Sequence, residues 1–259
     1  MTRRKTITPE MRRHCDYLRR RAMSVAKVYG SRLKRCRSRE VRRVLGKCKD
    51  LDPAEWAGVI DTSLSEPYLY DIVTGLYHDT GLPQAKSTVR DMSAAKADES
   101  DILEDIWLAA INSYARERAG ELIVSVTGTL KDTIRAILAD EMQDDFNGVE
   151  KLTQRIMRRY TAQQEWEVRR IAQTETMFSL GRAADVAAES LDVDYNKQWA
   201  CSGLTNTRDS HLAMDGVIIG RNDLFEVNGS YLAYPHDTSL DPAAAEVINC
   251  ACTCIRWPV

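Results

Sequence analysis

Phe225-Glu226-Val227-Asn228-Gly229 is the stretch whose reading decides the fold class. Asn-Gly between apolar residues is a strong hairpin signal, because a two-residue turn there needs positive φ at both central positions. Outward from this turn the same grammar continues. Asp215-Gly216 is a second turn of the kind, Tyr234-Pro235 follows, and the chain closes on Asn249-Cys250-Ala251-Cys252-Thr253-Cys254. Residues near 196–201 and 250–257 are expected to pair as strands. Upstream the periodicity changes to the spacing of amphipathic helices. The fold class expected is α+β: a mainly helical N-terminal two-thirds with a small β-containing C-terminal domain. Three segments follow, a basic helical arm (1–49), a helical body (50–195) and a small β-rich domain (196–259).

Thr8-Pro9 reads as a helix cap followed by proline at the first helical position. Met11, Cys15, Leu18, Ala22, Val25 and Tyr29 then recur at spacings of three and four, with Gly30-Ser31 expected to interrupt. Asp52-Pro53-Ala54-Glu55 starts another helix. The stretch 65–78 predicts a short helix ended by Gly81-x-Pro83, and 84–100 a polar connector. A helix marked by Ile102, Leu103, Ile106, Ala110 and Tyr114 comes next. The β-branched run Leu122–Thr127 is assigned to helix because its flanks are helical, and the pattern continues over 129–145. Asn147-Gly148-Val149-Glu150 predicts a cap opening a helix with Leu152, Ile156 and Met157. A last helix over about 163–190 places Trp166, Val168, Ile171, Met177, Leu180 and Ala184 on its apolar side. His78, without neighbouring ligand types, reads as a surface or packing residue.

The near-neutral total charge hides two poles. Residues 1–49 hold 18 lysines and arginines against 3 acidic residues, whereas the rest holds 18 basic and 35 acidic. Such asymmetry points to a polyanion for the first segment. Contact with double-stranded DNA phosphates through Arg12, Arg13, Arg19, Arg20, Arg21, Arg32, Lys34, Arg35, Arg37, Arg42 and Arg43 is the expectation. Docking of the same residues on an acidic protein surface, this chain's own included, stays open beside it. No apolar run approaches the ~20 residues of a membrane span, and no apolar stretch follows the basic N-terminus as in a secretory signal. Seven cysteines, an odd count, suit reduced thiols in a cytosolic setting. P-loop, dinucleotide-binding, paired-carboxylate nuclease and zinc-protease motifs are all missing from the sequence, and no internal repeat is visible.

Ile171-Ala172-Gln173-Thr174-Glu175-Thr176, Trp199, Thr207-Arg208-Asp209-Ser210-His211, Asp215-Gly216, Phe225–Gly229, Tyr234-Pro235 and Asn249-Cys250-Ala251-Cys252 stand in a fixed order. That series resembles the Mu F-like family of phage head-morphogenesis (minor head) proteins, over roughly residues 120–259. The resemblance implies a non-enzymatic virion protein of the head interior near the portal vertex, assembled in the host cytoplasm. Its implied partners are the portal protein and the major capsid or scaffolding protein, with no membrane during assembly. The structural motif carried over is Thr174, Glu175, Arg182, Trp199, Arg208, Asp215, Asn228, Gly229 and Asn249. This chain departs from the family pattern at Gln173 and Ala251, where the family usually has Arg, and at His236, where it has a small residue. On the helix, Glu175 and Arg182 lie two turns apart on nearly one face. They are expected to join a polar network with the β-domain, Arg182 or Arg208 pairing Glu175.

Cys250, Cys252 and Cys254 alternate, so on a strand all three thiols would face one way. Three readings of them stay open. One is plain packing of small buried thiols with no cofactor. A second is a structural zinc site on His211, Cys250 and Cys252, with Cys254, Cys201 or His236 as a fourth ligand. A third is Cys/His nucleophilic catalysis with His211 as base, which makes the competing class a zinc- or cysteine-dependent hydrolase carried in the capsid.

Overall fold

The computed structural model describes residues 3–92, 100–143, 148–191 and 193–259. The chain is α+β, as expected. Strand β1 (Arg3–Arg4) is followed by α1 (Pro9–Lys47), a 3₁₀ turn (Pro53–Glu55), α2 (Trp56–Ser63), α3 (Leu69–Met92), α4 (Ser100–Glu141) and α5 (Val149–Glu189). The C-terminal part contains β2 (Tyr195–Ala200), α6 (Asp209–Leu212), β3 (Val217–Gly220), β4 (Phe225–Val227), β5 (Ser230–Leu232), α7 (Ala244–Val247) and β6 (Thr253–Pro258). No helix among the described residues is long and apolar enough to cross a membrane.

The capping expectations hold where residues are described. Thr8 Oγ1 accepts from the Met11 amide at 3.2 Å, and Asp52 accepts from the Ala54 amide at 2.9 Å. Asn147, the other expected cap, lies outside the described residues, as do 93–99 of the expected connector.

Three breaks expected from sequence are not breaks. α1 runs through Gly30-Ser31, because Tyr29 and Leu33 on either side are both buried, outweighing the roughly 1 kcal/mol of a mid-helix glycine. α3 runs through Gly81 and Pro83 to Met92, so 84–92 is helix and not connector. A Cβ at Gly81 would lie 3.0 Å from Ile111 Cδ1; the glycine serves close helix approach here, not termination. α5 is one helix where two were expected, since Tyr160 at the presumed junction is wholly buried in core. Trp166, assigned to the apolar side, is exposed and stacks under Arg170.

The chain forms two compact units, each discontinuous in sequence. One comprises 28–74 and 116–171 and is helical, with no strand among its described residues. Its core is Val41, Val44, Leu45, Trp56, Ile60, Leu130, Ile134, Ile137, Leu152, Ile156 and Tyr160. Arg37, with no exposed surface, donates to Glu66 at 2.6 and 3.2 Å and lies 3.1 Å from Glu167. Burial pushes the Glu66 carboxyl up, although Arg37 pulls the other way.

The other unit comprises 1–27, 75–115 and 172–259. Its four-stranded antiparallel sheet has the order β1-β3-β2-β6, with Trp199 opposite Cys254 and Gln198 opposite Ile218. The expected pairing of the 196–201 and 250–257 regions is therefore present. So is the hairpin: β4 pairs β5, with Asn228 at φ 50° and Gly229 at φ 80°. The edge strand β1 has no alternating apolar pattern and was not legible in sequence. The stripe of α1 packs here through Cys15, which with Ile7 just before the helix lies against Ala200, and through Ala22 against Met177 and Leu180. Gly181 of α5 lets Tyr234-Pro235 approach, since a Cβ there would stand 3.0 Å from the Pro235 carbonyl oxygen.

Candidate functional site

The residues of the C-terminal motif converge in the sheet-bearing unit. Arg208 begins α6 in extended conformation and its Nη2 donates to the Ile248 carbonyl at 2.6 Å, so the one-turn helix presents His211 inward. Asn249 takes a left-handed conformation (φ 57°), and its amide donates to Thr174 Oγ1 of α5 at 3.0 Å. That bend turns Cys250 toward His211. The Cys250 and Cys252 sulfurs lie 3.4 and 3.5 Å from His211 Nδ1, and all three residues are buried.

The other face of the imidazole is held by a residue that sequence reasoning missed. Glu246 of α7, 4% exposed, sits 3.0 Å from His211 Nε2 through Oε2. Ser210 Oγ donates to the same oxygen, and Asn228 Nδ2 of the hairpin turn donates to Oε1, each at 3.0 Å. Burial works against its charge, but the bonds from Asn228 and Ser210 and the neighbouring ring hold Glu246 below the usual carboxylate range. A carboxylate only accepts, so Nε2 of the neutral ring carries the proton and Nδ1 turns its lone pair to the two sulfurs. The available signal was a single acid inside the apolar run Ala243–Val247.

The other suggested ligands divide. Cys201, buried at the end of β2, is in hydrogen-bond contact with Cys252, and this contact and burial push its thiol well up. His236 is a positioning residue: its Nε2 donates to the Cys252 carbonyl at 2.8 Å, and burial lowers it to about 4. Cys254 does not join the cluster. Only this cysteine of the three lies in β6, and its sulfur contacts the Ile255 carbonyl. The alternation rule fails because Cys250 and Cys252 precede the strand.

Two arginines expected on DNA instead hold the cysteine-bearing loops. Arg12 donates to Asp215 at 2.7 and 3.1 Å and to the Cys201 carbonyl at 3.0 Å, while Asp215 accepts from the Cys201 amide at 2.8 Å. Arg19, two turns on, donates to the carbonyls of Ala251 and Ser202. Lys34 pairs with Glu165, Arg43 with Glu40, and Arg37 is sealed inside. All five have partners within the chain itself. Arg13, Arg20, Arg21, Arg35 and Arg42 are exposed, and Arg32 lies exposed over the Tyr29 ring.

Burial alone would raise Asp215, but Arg12 and the Cys201 amide hold it below its ordinary value. A depressed carboxyl contributes stability above its unfolded pKa, and that contribution fades as pH falls through the folded one. Asp215→Asn is expected to cost about 1 kcal/mol at neutral pH, the site being partly solvent-screened. The difference from wild type should shrink in acid denaturation curves as pH falls below the ordinary Asp range.

Around the expected helix-to-domain network the following contacts are present. Glu175, buried, accepts from Tyr77 Oη at 2.9 Å. Arg182 lies over the Tyr114 ring and 3.7 Å from Asp185, and Arg208 serves Ile248 as described. Asp185 in turn binds Arg256 of β6 at 3.1 Å. Trp199, fully buried, meets His211 and Phe225 edge-on, with ring centroids 5.5 and 5.3 Å apart.

No curated protein and no solved structure matches the chain. The family model of phage Mu protein F like protein matches residues 132–255, a range that takes in Thr174, His211, Glu246, Cys250 and Cys252. Over this segment the chain is similar to the phage Mu protein F-like family.

Proposed function

We propose that this is a phage head-morphogenesis protein that works by binding and positioning, without turnover. In this reading it docks on the portal protein and on the major capsid or scaffolding protein during assembly. It then touches packaged or ejecting double-stranded DNA with the exposed arginines of α1. The family match over 132–255 carries the reading. Burial of His211 and both cysteines supports it against the hydrolase alternative, because a substrate carbonyl has no access to a ring 1% exposed.

The DNA contact narrows to Arg13, Arg20, Arg21, Arg32, Arg35 and Arg42, joined by exposed Arg39. Each phosphate neutralised on duplex DNA changes the slope of log K against log salt by about 0.9. Replacing Arg35, Arg39 and Arg42 with Gln is therefore expected to weaken DNA binding and flatten that slope by about three. Capture by immobilised portal protein should survive the same changes. Unchanged DNA affinity in a folded triple variant would remove DNA from the proposal. Failure of the wild-type protein to bind portal at low salt would remove the docking role.

A further inference from the structure

The geometry points to a structural zinc site, with His211 Nδ1 and the sulfurs of Cys250, Cys252 and Cys201 as ligands and Glu246 as the residue that orients the imidazole. The first three ligand atoms all lie within 4.8 Å of one another. Tetrahedral zinc with Zn–S near 2.3 Å and Zn–N near 2.05 Å separates sulfur from nitrogen by about 3.6 Å. The observed separations are 3.4 and 3.5 Å, so the cradle already has the edge lengths of the polyhedron. Hydrogen bonding alone accounts poorly for it: a neutral imidazole nitrogen has one lone pair, yet two sulfurs crowd it.

Second-sphere chemistry agrees. A zinc-bound histidine donates its free N–H to a carboxylate or carbonyl, which fixes the tautomer and raises its basicity. Glu246 does this at 3.0 Å and is itself fixed by Ser210 and Asn228. Cys201 is the thiol proposed to close the set: it is buried and in contact with Cys252, it stands outside the 4.8 Å group of the other three, and its main chain is gripped on both sides by Arg12 and Asp215. The ion would join the end of β2, α6 and the run before β6, three segments of a unit whose strands are two to six residues long. A small β-domain of that kind gains from a metal staple.

The test uses the full-length protein, expressed with zinc and exchanged with cobalt. One zinc per chain by elemental analysis is expected, with visible cobalt bands of tetrahedral geometry and thiolate charge transfer. Cys250→Ser and Cys252→Ser should abolish both signals, whereas Cys254→Ser and Cys15→Ser should keep them. Cys201→Ser should reduce the charge-transfer intensity by about one third; unchanged intensity would overturn its place as fourth ligand. Glu246→Gln leaves every ligand in place and should weaken metal affinity about 10- to 100-fold, measured by competition with a chromophoric chelator. Wild-type protein that is folded by circular dichroism but binds neither zinc nor cobalt would overturn the site, whatever the variants do.

Discussion

Arg37→Ala is expected to destabilise the helical unit by about 3–5 kcal/mol, the usual penalty for leaving a buried charge unpaired. Arg37 has no exposed surface and faces Glu66, also wholly buried in its side chain, and Glu167, which is 14% exposed. Removing the cation strands two carboxylates where water cannot solvate them. The matched replacement Arg37→Met with Glu66→Leu and Glu167→Leu should recover most of that loss, since burying an ion cluster is itself expensive. Urea unfolding followed by helical circular dichroism separates the two, with hydrogen exchange on Leu130–Leu138 reporting the unit specifically. A single variant within 1 kcal/mol of wild type would show that the three charges are not coupled as drawn. The same comparison separates structure from DNA contact, because Arg37 sits in the basic segment yet contributes nothing to its outer face.

Trp199→Ala is the second large effect, about 3–5 kcal/mol for an aromatic removed from a closed core. Trp199 is on β2, the strand that pairs both β3 and β6, and its ring is the floor beneath His211 and Phe225. Loss of the indole leaves a cavity against the imidazole, so ring orientation and sheet packing fail together. Hydrogen exchange should accelerate in β2, β6 and the hairpin, while amides of the Val41–Leu45 core in the other unit stay protected. Trp199→Phe should recover a large part of the loss, keeping an aromatic edge on His211. Uniform loss of protection across both units would mean that the two do not open separately.

Periodicity and turn chemistry made the class of the fold legible. The Asn228-Gly229 hairpin, the pairing of the two outer strands and the helical assignment of Leu122–Thr127 were readable because each rests on local backbone preference or on one repeating pattern. Helix ends were less readable. Gly30, Gly81 and Pro83 look like punctuation, but burial of Tyr29 and Leu33 and the approach of Ile111 keep the helices going. Local propensity amounts to about 1–3 kcal/mol per position, and packing exceeds that.

The candidate site was half legible. His211, Cys250 and Cys252 could be named from residue type and order, as could Cys201 among three choices for a fourth partner. Glu246 could not, since a lone acid in an alanine run announces no partner 35 positions away. Nor could the separation of Cys254, which depends on where β6 begins. Residue order and charge asymmetry by themselves determined the α+β class, the resemblance to the family and the basic character of the first helix. Only the tertiary structure decided which arginines face solvent and which clamp Cys201 and Ala251. The physical reason is that a charge has no assigned partner until folding sets its distance and its dielectric surroundings.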